Sequence, residues 1–556
     1  MTGRSEPPRP VVAKRGPSPA GDSAAGKRLY WHGATASGAP LQAAIAGDAA
    51  VAGTQFGCVN CHRPSGFGSS EGGKYVPPIT GPILFSPRQL NRNRIYTKLF
   101  EEAQPAGFAA DVRMPRMRPA YTDQTLADAL RKGVDPAGRK LDAQMPRYAL
   151  SDRDAANLIA YLKTLSAAAD PGVDAAVIHF ATVVSDGTDP AERAAVVSTI
   201  TAFFDWMNRA THGYQSRPGF SPYHMSELAS AFRHWQLHVW ELHGPPATWP
   251  QQIQRQYDAQ PVFAVISGLV HGPWRPLAQF CDAKHMPCVF PNTELPRTTN
   301  TDYAYSLYFS RGLTLEGEVL ARYLGRRQPQ ADRIALVHST DPYGTTPARA
   351  FERALKTEQA DARIREFAFS DQTELNAAVR ELASAAGNFD ALVLLPGERV
   401  NAALTALGEW RPGIKVIGLP SDALTSVQPG KLGTLAGSLL FAYPYELPSA
   451  YHPRSFRVRQ WMHAQHLDIA YPRLQFQTYY ALTMAEFALD QILDDFFRDY
   501  FIEAIEHEAE NNLDIGTHPT LALGPGQRFA SKGAYIVRID AAAPGGIRAL
   551  SDWIVP

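Results

Sequence analysis

The chain has 556 residues, of which 45% are hydrophobic and 19% charged, and its 54 lysines and arginines balance 54 aspartates and glutamates. This length predicts more than one compact domain, and a formal net charge of +0 without a basic stripe argues against nucleic acid as a partner. No apolar run reaches the roughly 18 residues that a membrane-spanning helix needs, so no membrane span is predicted.

Residues 1–21 are rich in proline, glycine, serine and charge, and we expect this N-terminal segment to be flexible. No apolar stretch typical of an export signal follows Met1.

A Cys-x-x-Cys-His run follows at Cys58, Cys61 and His62. Such a run can be a redox dithiol, half of a zinc site or the attachment site of a c-type haem. No second Cys/His pair lies nearby to complete tetrahedral zinc, and no strand-then-helix pattern frames a thioredoxin-like dithiol. The run therefore predicts one covalently bound haem c, with His62 as an iron ligand.

A second iron ligand is expected from a methionine, and Met145 is the best candidate. It precedes Ser151 and Asp154, which have the spacing of a helix capping box. Met114 and Met117 are rivals, but another predicted helix, residues 122–132, separates them from the capped one. A methionine sulfur favours electron transfer over oxygen chemistry, so a peroxidase-like enzyme, which needs an open iron site, is the less favoured interpretation.

Residues 22–168 resemble a class I cytochrome c. Gly26 and Tyr30 match the small and aromatic positions of the family's first helix, and residues 158–162 match its last helix. A glycine at such a crossing lets two helices approach closely. The resemblance implies a small all-α domain.

Residues 80–84 resemble the family's T-G-P-x-L segment, whose proline carbonyl accepts a hydrogen bond from the haem-ligating histidine. The resemblance therefore implies that Pro82 holds the ring of His62. Insertions, one of them at residues 34–56, separate these landmarks, and they leave the reduction potential and the redox partner open.

From residue 172 to 556 the pattern changes to short apolar strands that alternate with amphipathic helices. This alternation predicts parallel sheets covered on both faces, and the length favours two lobes. The predicted strands are residues 175–181, 236–240, 262–267, 334–338, 391–395 and 416–419, and two of the predicted helices are residues 191–209 and 346–356.

This second module is similar to the type I periplasmic binding proteins of the leucine/isoleucine/valine-binding kind. The similarity is carried by residues 265–272, a following helix, and residues 286–291, which match the family's strand, ligand loop, helix and next strand. In that family the loop holds a ligand carboxylate, and its hydroxyl position here is His271. The resemblance implies a solute cleft lined by Ser267, His271, Asn292, Thr293 and Tyr343. Glu398 and Asp422 lie just after the predicted strands that end near residues 395 and 419, where an acidic group is placed to pair with a ligand ammonium.

Two cysteines remain, Cys281 and Cys288. They form a disulfide or they are two buried thiols, and the sequence leaves both alternatives open.

The expected protein is thus a periplasmic c-type cytochrome whose haem exchanges electrons with a partner, a dehydrogenase or a terminal acceptor. Its attached two-lobe α/β module senses a small solute or docks a partner. The alternative is a solute-binding protein of an ABC-type uptake or sensing system with an accessory haem. No catalytic nucleophile, phosphate loop or zinc motif is present in the sequence, so the chain is expected not to be an enzyme.

Overall fold

The computed structural model describes residues 20–45, 49–71, 74–88, 117–215, 232–298, 304–326, 331–410, 414–427, 433–449, 454–509, 515–524 and 526–556. The chain separates into two compact units, Met1–Ala169 and Asp170–Pro556. Most of the predicted flexible segment, up to residue 19, and the rival ligand Met114 lie outside the described residues. No described helix is both long and apolar enough to cross a membrane.

The first unit is built mainly from helices that begin at polar caps. Asp22, Thr122 and Ser151 each accept backbone N–H groups at a helix start, and Ser151 accepts from Asp154, which confirms the predicted capping position. The described helices are α1 (Ser23–His32), α2 (Val59–His62), α3 (Gly81–Leu84), α4 (Asp123–Lys132) and α5 (Asp152–Thr164).

Helices α1 and α5 cross at Gly26. A Cβ at this position would lie 2.0 Å from the Asn157 carbonyl oxygen and 2.8 Å from the Cβ of Tyr161. Tyr30, one turn later, packs its ring 5.3 Å from the ring of Tyr161. The glycine predicted from the sequence is therefore required by the close approach of two helix backbones.

We expect Gly26→Ala to lower the free energy of unfolding of this unit by about 2 kcal/mol, because the added methyl group forces the helices apart. Arg28→Ala, on the exposed side of the same helix, is the matched control and should change it by less than about 0.5 kcal/mol. Denaturant unfolding followed by circular dichroism measures both. Equal stability of the two variants would show that the helices separate without cost.

The inserted segment adds strands that the all-α description did not include. Strands β1 (Gln42–Ile45) and β2 (Ala49–Ala52) form an antiparallel pair, and β1 also pairs with β5 (Arg147–Tyr148). A separate pair joins β3 (Ser69–Glu71) and β4 (Lys74–Val76). The inserted segment thus pairs, through β1, with β5, the strand that follows Met145.

In the second unit, the first lobe is built on a five-stranded parallel sheet with strand order β10-β9-β8-β6-β7. Its strands are β6 (Val177–Ser185), β7 (His234–Leu242), β8 (Ala264–Ile266), β9 (Cys288–Val289) and β10 (Ser306–Leu307). The helices packed around it are α6 (Pro190–Gln215), α7 (Trp249–Ala259), α8 (Arg275–Ala283), α14 (Phe456–Ala464), α15 (Pro472–Ile492) and α16 (Arg498–Ala509).

The second lobe is built on a seven-stranded sheet with strand order β12-β11-β13-β14-β15-β16-β17, in which only the last two strands run antiparallel to their neighbours. Its strands are β11 (Arg333–Ser339), β12 (Arg363–Phe369), β13 (Ala391–Leu395), β14 (Ile417–Leu419), β15 (Leu439–Tyr443), β16 (Tyr535–Ile539) and β17 (Ile547–Ala549). Its helices are α9 (Leu313–Arg326), α10 (Pro342–Glu358), α11 (Gln372–Ser384), α12 (Val400–Trp410) and α13 (Ala423–Ser426).

The central strands are apolar because both faces of each sheet are covered. Every residue of β13 is buried, and the strand matches the predicted bounds. Alternate residues of the second sheet belong to two separate apolar clusters, one on each face. This arrangement confirms the predicted parallel, doubly covered sheets.

Cys281 and Cys288 form a disulfide between α8 and β9. The pairing joins a helix to the strand that follows it, and it decides between the two alternatives that the sequence left open.

Candidate functional site

The Cys-x-x-Cys-His run forms a single helical turn. Cys58 is the N-cap of α2, and Cys61 and His62 lie at its other end. Neither cysteine is in a disulfide; Cys58 is half-buried and Cys61 is exposed. Tyr30 donates a hydrogen bond of 2.6 Å to the carbonyl of Arg63, so helix α1 anchors the residue that follows His62.

The ring of His62 is buried and held by one hydrogen bond. Its Nδ1 donates to the carbonyl oxygen of Pro77 at 3.0 Å, which leaves Nε2 as the ring nitrogen that carries the lone pair. Burial lowers the pKa of His62 to about 4, and the Pro77 carbonyl opposes this shift. At neutral pH the imidazole is therefore uncharged and able to bind a metal.

The prediction that the Pro82 carbonyl accepts this hydrogen bond is wrong. Pro82 lies exposed in the first turn of α3, whose Gly81 N–H is bonded to the Leu165 carbonyl of the last helix. The backbone between residues 66 and 79 is tied back by a bond from Ile79 to Gly66, and this brings the earlier proline, Pro77, to the histidine. The resemblance identified the right kind of acceptor but placed it five residues too late.

The donor set fits a covalently attached haem. Two thiols three positions apart on one helical turn lie on the same side of that turn, and the next residue is a neutral histidine whose Nδ1 is already engaged. Cys58, Cys61 and His62 would hold the haem, and Pro77 would orient the histidine ligand.

Met145 is half-buried in a turn whose backbone carbonyl groups accept hydrogen bonds from the side chain of Arg147. The Arg147 guanidinium donates to the carbonyl of Met145 and to those of Leu141 and Asp142, at 3.2 and 3.1 Å for the latter two. Tyr148 then donates 2.7 Å to the carbonyl of Phe56, two residues before the haem motif. Met117, by contrast, is 46% exposed.

The second unit contains a cavity of about 230 Å³ between its two lobes. The carboxyl ends of the strands of the first lobe open into it, as expected for parallel sheets. Of the predicted cleft residues, His271, Asn292, Thr293 and Tyr343 line this cavity, whereas Ser267, Glu398 and Asp422 do not.

Ser267 lies beneath the cavity in a buried polar cluster. Its hydroxyl lies 3.0 Å from that of Thr478, and the amide nitrogen of Asn292 donates to both hydroxyls. The amide oxygen of Asn292 has no hydrogen-bond partner among the described residues. Ser267 and the amide nitrogen of Asn292 are thus used within the protein, and the amide oxygen of Asn292 is itself buried.

The predicted loop residue His271 contacts the opposite lobe. Its Nε2 lies 2.9 Å from the carboxylate of Glu398, and its ring stacks on that of Tyr343. The N–H of the next residue, Gly272, donates to the Tyr343 hydroxyl at 2.8 Å. His271 on the first lobe therefore contacts Tyr343 and Glu398 on the second lobe. Glu398 is engaged in this contact and does not line the cavity.

Two further predicted residues act mainly within the protein. Thr293 accepts the N–H of Leu295 at 3.2 Å while lining the cavity, and Asp422 accepts the N–H of Ala423 at the start of α13. Burial, and then the charge of Glu294, raise the pKa of Asp422 to about 7.

Helix α15 contributes polar groups to the cavity that no sequence pattern predicts. Arg473 and Gln477, one helical turn apart, both line the cavity, and Arg473 donates 2.7 Å to the hydroxyl of Tyr445. His518 also lines it, and burial followed by the charge of Arg473 lowers its pKa to about 3, so its ring is neutral. Neither a motif nor a spacing signals Arg473, because it lies near a helix start more than 200 residues from the predicted ligand loop.

No cluster of three or more histidine, cysteine, aspartate or glutamate side chains within the described ranges is arranged to bind a metal ion. His271 and His285, which the sequence places 14 residues apart, have separate aromatic neighbours, Tyr343 and Tyr305.

Known proteins resemble each of the two units, the first in sequence and the second in fold. Residues 24–166 match the family model of cytochrome c. A search of curated proteins finds no match to the sequence.

Among solved structures, a branched chain amino acid ABC transporter from Thermus thermophilus with bound valine is 14% identical with a TM-score of 0.51, covering 69% of this chain and 98% of that one. A fatty acid ABC transporter substrate-binding protein from Thermomonospora curvata is 17% identical with a TM-score of 0.49, covering 70% and 95%. The first of these shows the fold. The chain therefore joins a cytochrome c domain to a module with the two-lobe fold of the leucine/isoleucine/valine-binding proteins.

Proposed function

We propose that this protein is a periplasmic electron carrier. A single covalent haem, attached through Cys58 and Cys61 and ligated by His62 and Met145, supplies the reversible one-electron chemistry. The second module binds a small solute or docks a partner. The chain on this proposal is a carrier and binding protein, not an enzyme.

The observation that carries the proposal is the geometry of helix α2. Two thiols and a neutral imidazole share one helical turn, and the Pro77 carbonyl fixes the imidazole so that only Nε2 can bind iron. A histidine held in this way keeps its orientation in both oxidation states, which lowers the structural cost of electron transfer.

The extracytoplasmic location is supported by the cysteines. Cys281 and Cys288 form a disulfide, and disulfides persist in oxidising compartments. Attachment of haem to Cys58 and Cys61 requires maturation in the same kind of compartment.

The electron-carrier proposal is tested by co-expressing the chain with a cytochrome c maturation system. The wild-type protein should retain haem through denaturing electrophoresis, and Cys58→Ala/Cys61→Ala should lose it, because no thioether bond can form. Cys281→Ala/Cys288→Ala is the matched control and should keep the haem.

Redox titration of the purified wild-type protein should then show one reversible one-electron step. Haem that is extracted under denaturing conditions, or ferrous haem that binds carbon monoxide readily and turns over peroxide, would contradict the proposal and favour an enzyme with an open iron site.

A further inference from the structure

Two segments of the first unit carry the proposed haem contacts. One is the turn with Cys58, Cys61 and His62, and the other is the segment around Met145. A thioether sulfur is a neutral and weakly donating ligand, so the lifetime of its bond to iron depends on how firmly the protein holds the two segments together. The residues that follow Met145 connect the segments in two ways.

The first connection is the side chain of Tyr148. This residue is 6% exposed, and its hydroxyl donates a hydrogen bond of 2.7 Å to the carbonyl of Phe56, two residues before Cys58. The hydroxyl also lies within hydrogen-bond reach of the Cys58 thiol. Because a buried hydroxyl would lose its partner if the segments moved apart, this bond opposes any opening of the Met145 segment.

The second connection is the inserted hairpin. Strand β5, which contains Tyr148, pairs with β1, and the N–H of Ala149 donates 2.8 Å to the carbonyl of Gln42. Strand β2 pairs with the other edge of β1 and leads to Phe56, the acceptor of the Tyr148 hydroxyl. The insertion therefore connects the Met145 segment to the haem motif through backbone pairing as well as through one side chain.

We propose that Tyr148 and the inserted hairpin position Met145 on the haem iron and thereby keep the haem closed to external ligands. The inference rests on the proposed ligation of iron by Met145, and it assigns a role to an insertion that the resemblance to cytochrome c leaves unexplained. When the iron–sulfur bond opens, the pairing of β5 with β1 and the bond from Tyr148 to Phe56 keep the Met145 segment in place. The sulfur then rebinds before an external ligand occupies the iron.

Binding of imidazole to the ferric haem of the full chain tests the proposal, because imidazole occupies the iron only after the methionine has left. Loss of the far-red absorption band of methionine-ligated haem reports this replacement. Tyr148→Phe keeps the ring and removes the hydroxyl, and we expect its dissociation constant for imidazole to fall about three- to tenfold, as the loss of one hydrogen bond implies. Tyr161→Phe is the matched control. It removes the acceptor of the Trp31 ring N–H at 3.2 Å, where α1 and α5 cross, and should keep the wild-type dissociation constant.

A proline in the hairpin tests the backbone pairing separately. Ala149 bonds to Gln42, and alternate residues of an antiparallel strand bond to the same neighbour, so the N–H of Ala44 faces β5. Ala50 lies opposite Ala44 on the edge strand β2, and its N–H therefore faces away from β1. Ala44→Pro should lower the dissociation constant for imidazole at least as much as Tyr148→Phe, whereas Ala50→Pro should leave it unchanged. Circular dichroism verifies that each variant is folded, and Tyr148→Phe decides alone if Ala44→Pro is not.

Unchanged affinity for imidazole in Tyr148→Phe and Ala44→Pro, with the far-red band present in the wild type, would overturn the inference and leave ligation by Met145 intact. An equal gain of affinity in Tyr161→Phe and Ala50→Pro would also overturn it, because a general loss of stability would then explain the effect. A wild-type ferric protein without the band would reject the ligation by Met145 together with the inference.

Discussion

Replacing Met145 by alanine should abolish the weak far-red absorption band that a ferric haem shows when a methionine sulfur binds its iron. The reduction potential should fall by roughly 0.1 V or more, because a thioether stabilises ferrous iron and its loss leaves water or a stronger donor in its place. Absorption spectroscopy and redox titration of the haem-loaded protein measure the two effects.

The surroundings of Met145 support this expectation. The Arg147 guanidinium binds three carbonyl groups of the turn from Leu141 to Met145, and β5 then pairs with β1 of the inserted hairpin. A Cβ on Gly133 would collide with the Arg147 side chain, so a glycine is needed where that side chain passes. A turn that is held at both ends keeps one conformation, which would suit a methionine that binds iron weakly.

Met117→Ala is the matched control for Met145→Ala. Its side chain is 46% exposed and should leave the far-red band and the potential unchanged. Loss of the band in Met117→Ala, with Met145→Ala unaffected, would transfer the ligand role to Met117. Retention of the band in both variants would transfer it to Met114 or to another methionine.

In the first unit, the features that were predictable from the sequence are of two kinds. They depend either on residues close in the chain or on a single steric requirement. The capping of α5 by Ser151 is decided within four residues, and the need for Gly26 follows from a single helix crossing. The partner of His62 depends instead on how the segment between residues 66 and 79 folds back, which no local pattern specifies. For this reason the resemblance predicts Pro82 as the acceptor, whereas the structure has Pro77.

In the solute cleft, too, features set by local patterns were predictable and features set by long-range packing were not. The strand ends placed Asn292, Thr293 and His271 at the cavity, because parallel strands present their carboxyl ends at one edge of the sheet. Glu398 follows a strand end as well, yet its carboxylate lies 2.9 Å from His271 and outside the cavity wall. Arg473 reaches the cavity from a helix that follows a crossover between the lobes, and its position depends on long-range packing that residue patterns do not encode.

The buried carboxyl group of Glu316 should give the second unit a stability that decreases as the pH rises. Glu316 is 4% exposed, and it accepts the N–H of Ser421 at 2.6 Å and lies 2.8 Å from the Ser421 hydroxyl. Burial raises its pKa to about 8 from the usual 4.5, although the bonds from Ser421 oppose the shift. The folded protein therefore holds a proton that the unfolded chain releases between these two pH values.

Because the folded protein binds this proton more tightly than the unfolded chain does, the free energy of unfolding decreases as the pH rises. Stabilisation by the neutral carboxyl is fully present below about pH 4.5 and is lost as the pH rises through 8. Glu316→Gln keeps a neutral group of the same shape, so it should be as stable as the wild type at pH 4.5 and more stable by about 5 kcal/mol at pH 9. Glu486, whose pKa is raised to about 7 mainly by burial, gives both proteins the same remaining slope.

Guanidinium unfolding at pH 4.5, 7 and 9, followed by far-ultraviolet circular dichroism, measures the difference between the two proteins. Glu409→Gln, an exposed glutamate on α12, should follow the wild type at every pH. A Glu316→Gln protein that is less stable than the wild type by a constant amount would show that Glu316 is ionised in the fold. The carboxylate would then be available to a ligand, and the charge balance of the cavity would favour a cationic group beside Glu294 and Glu316.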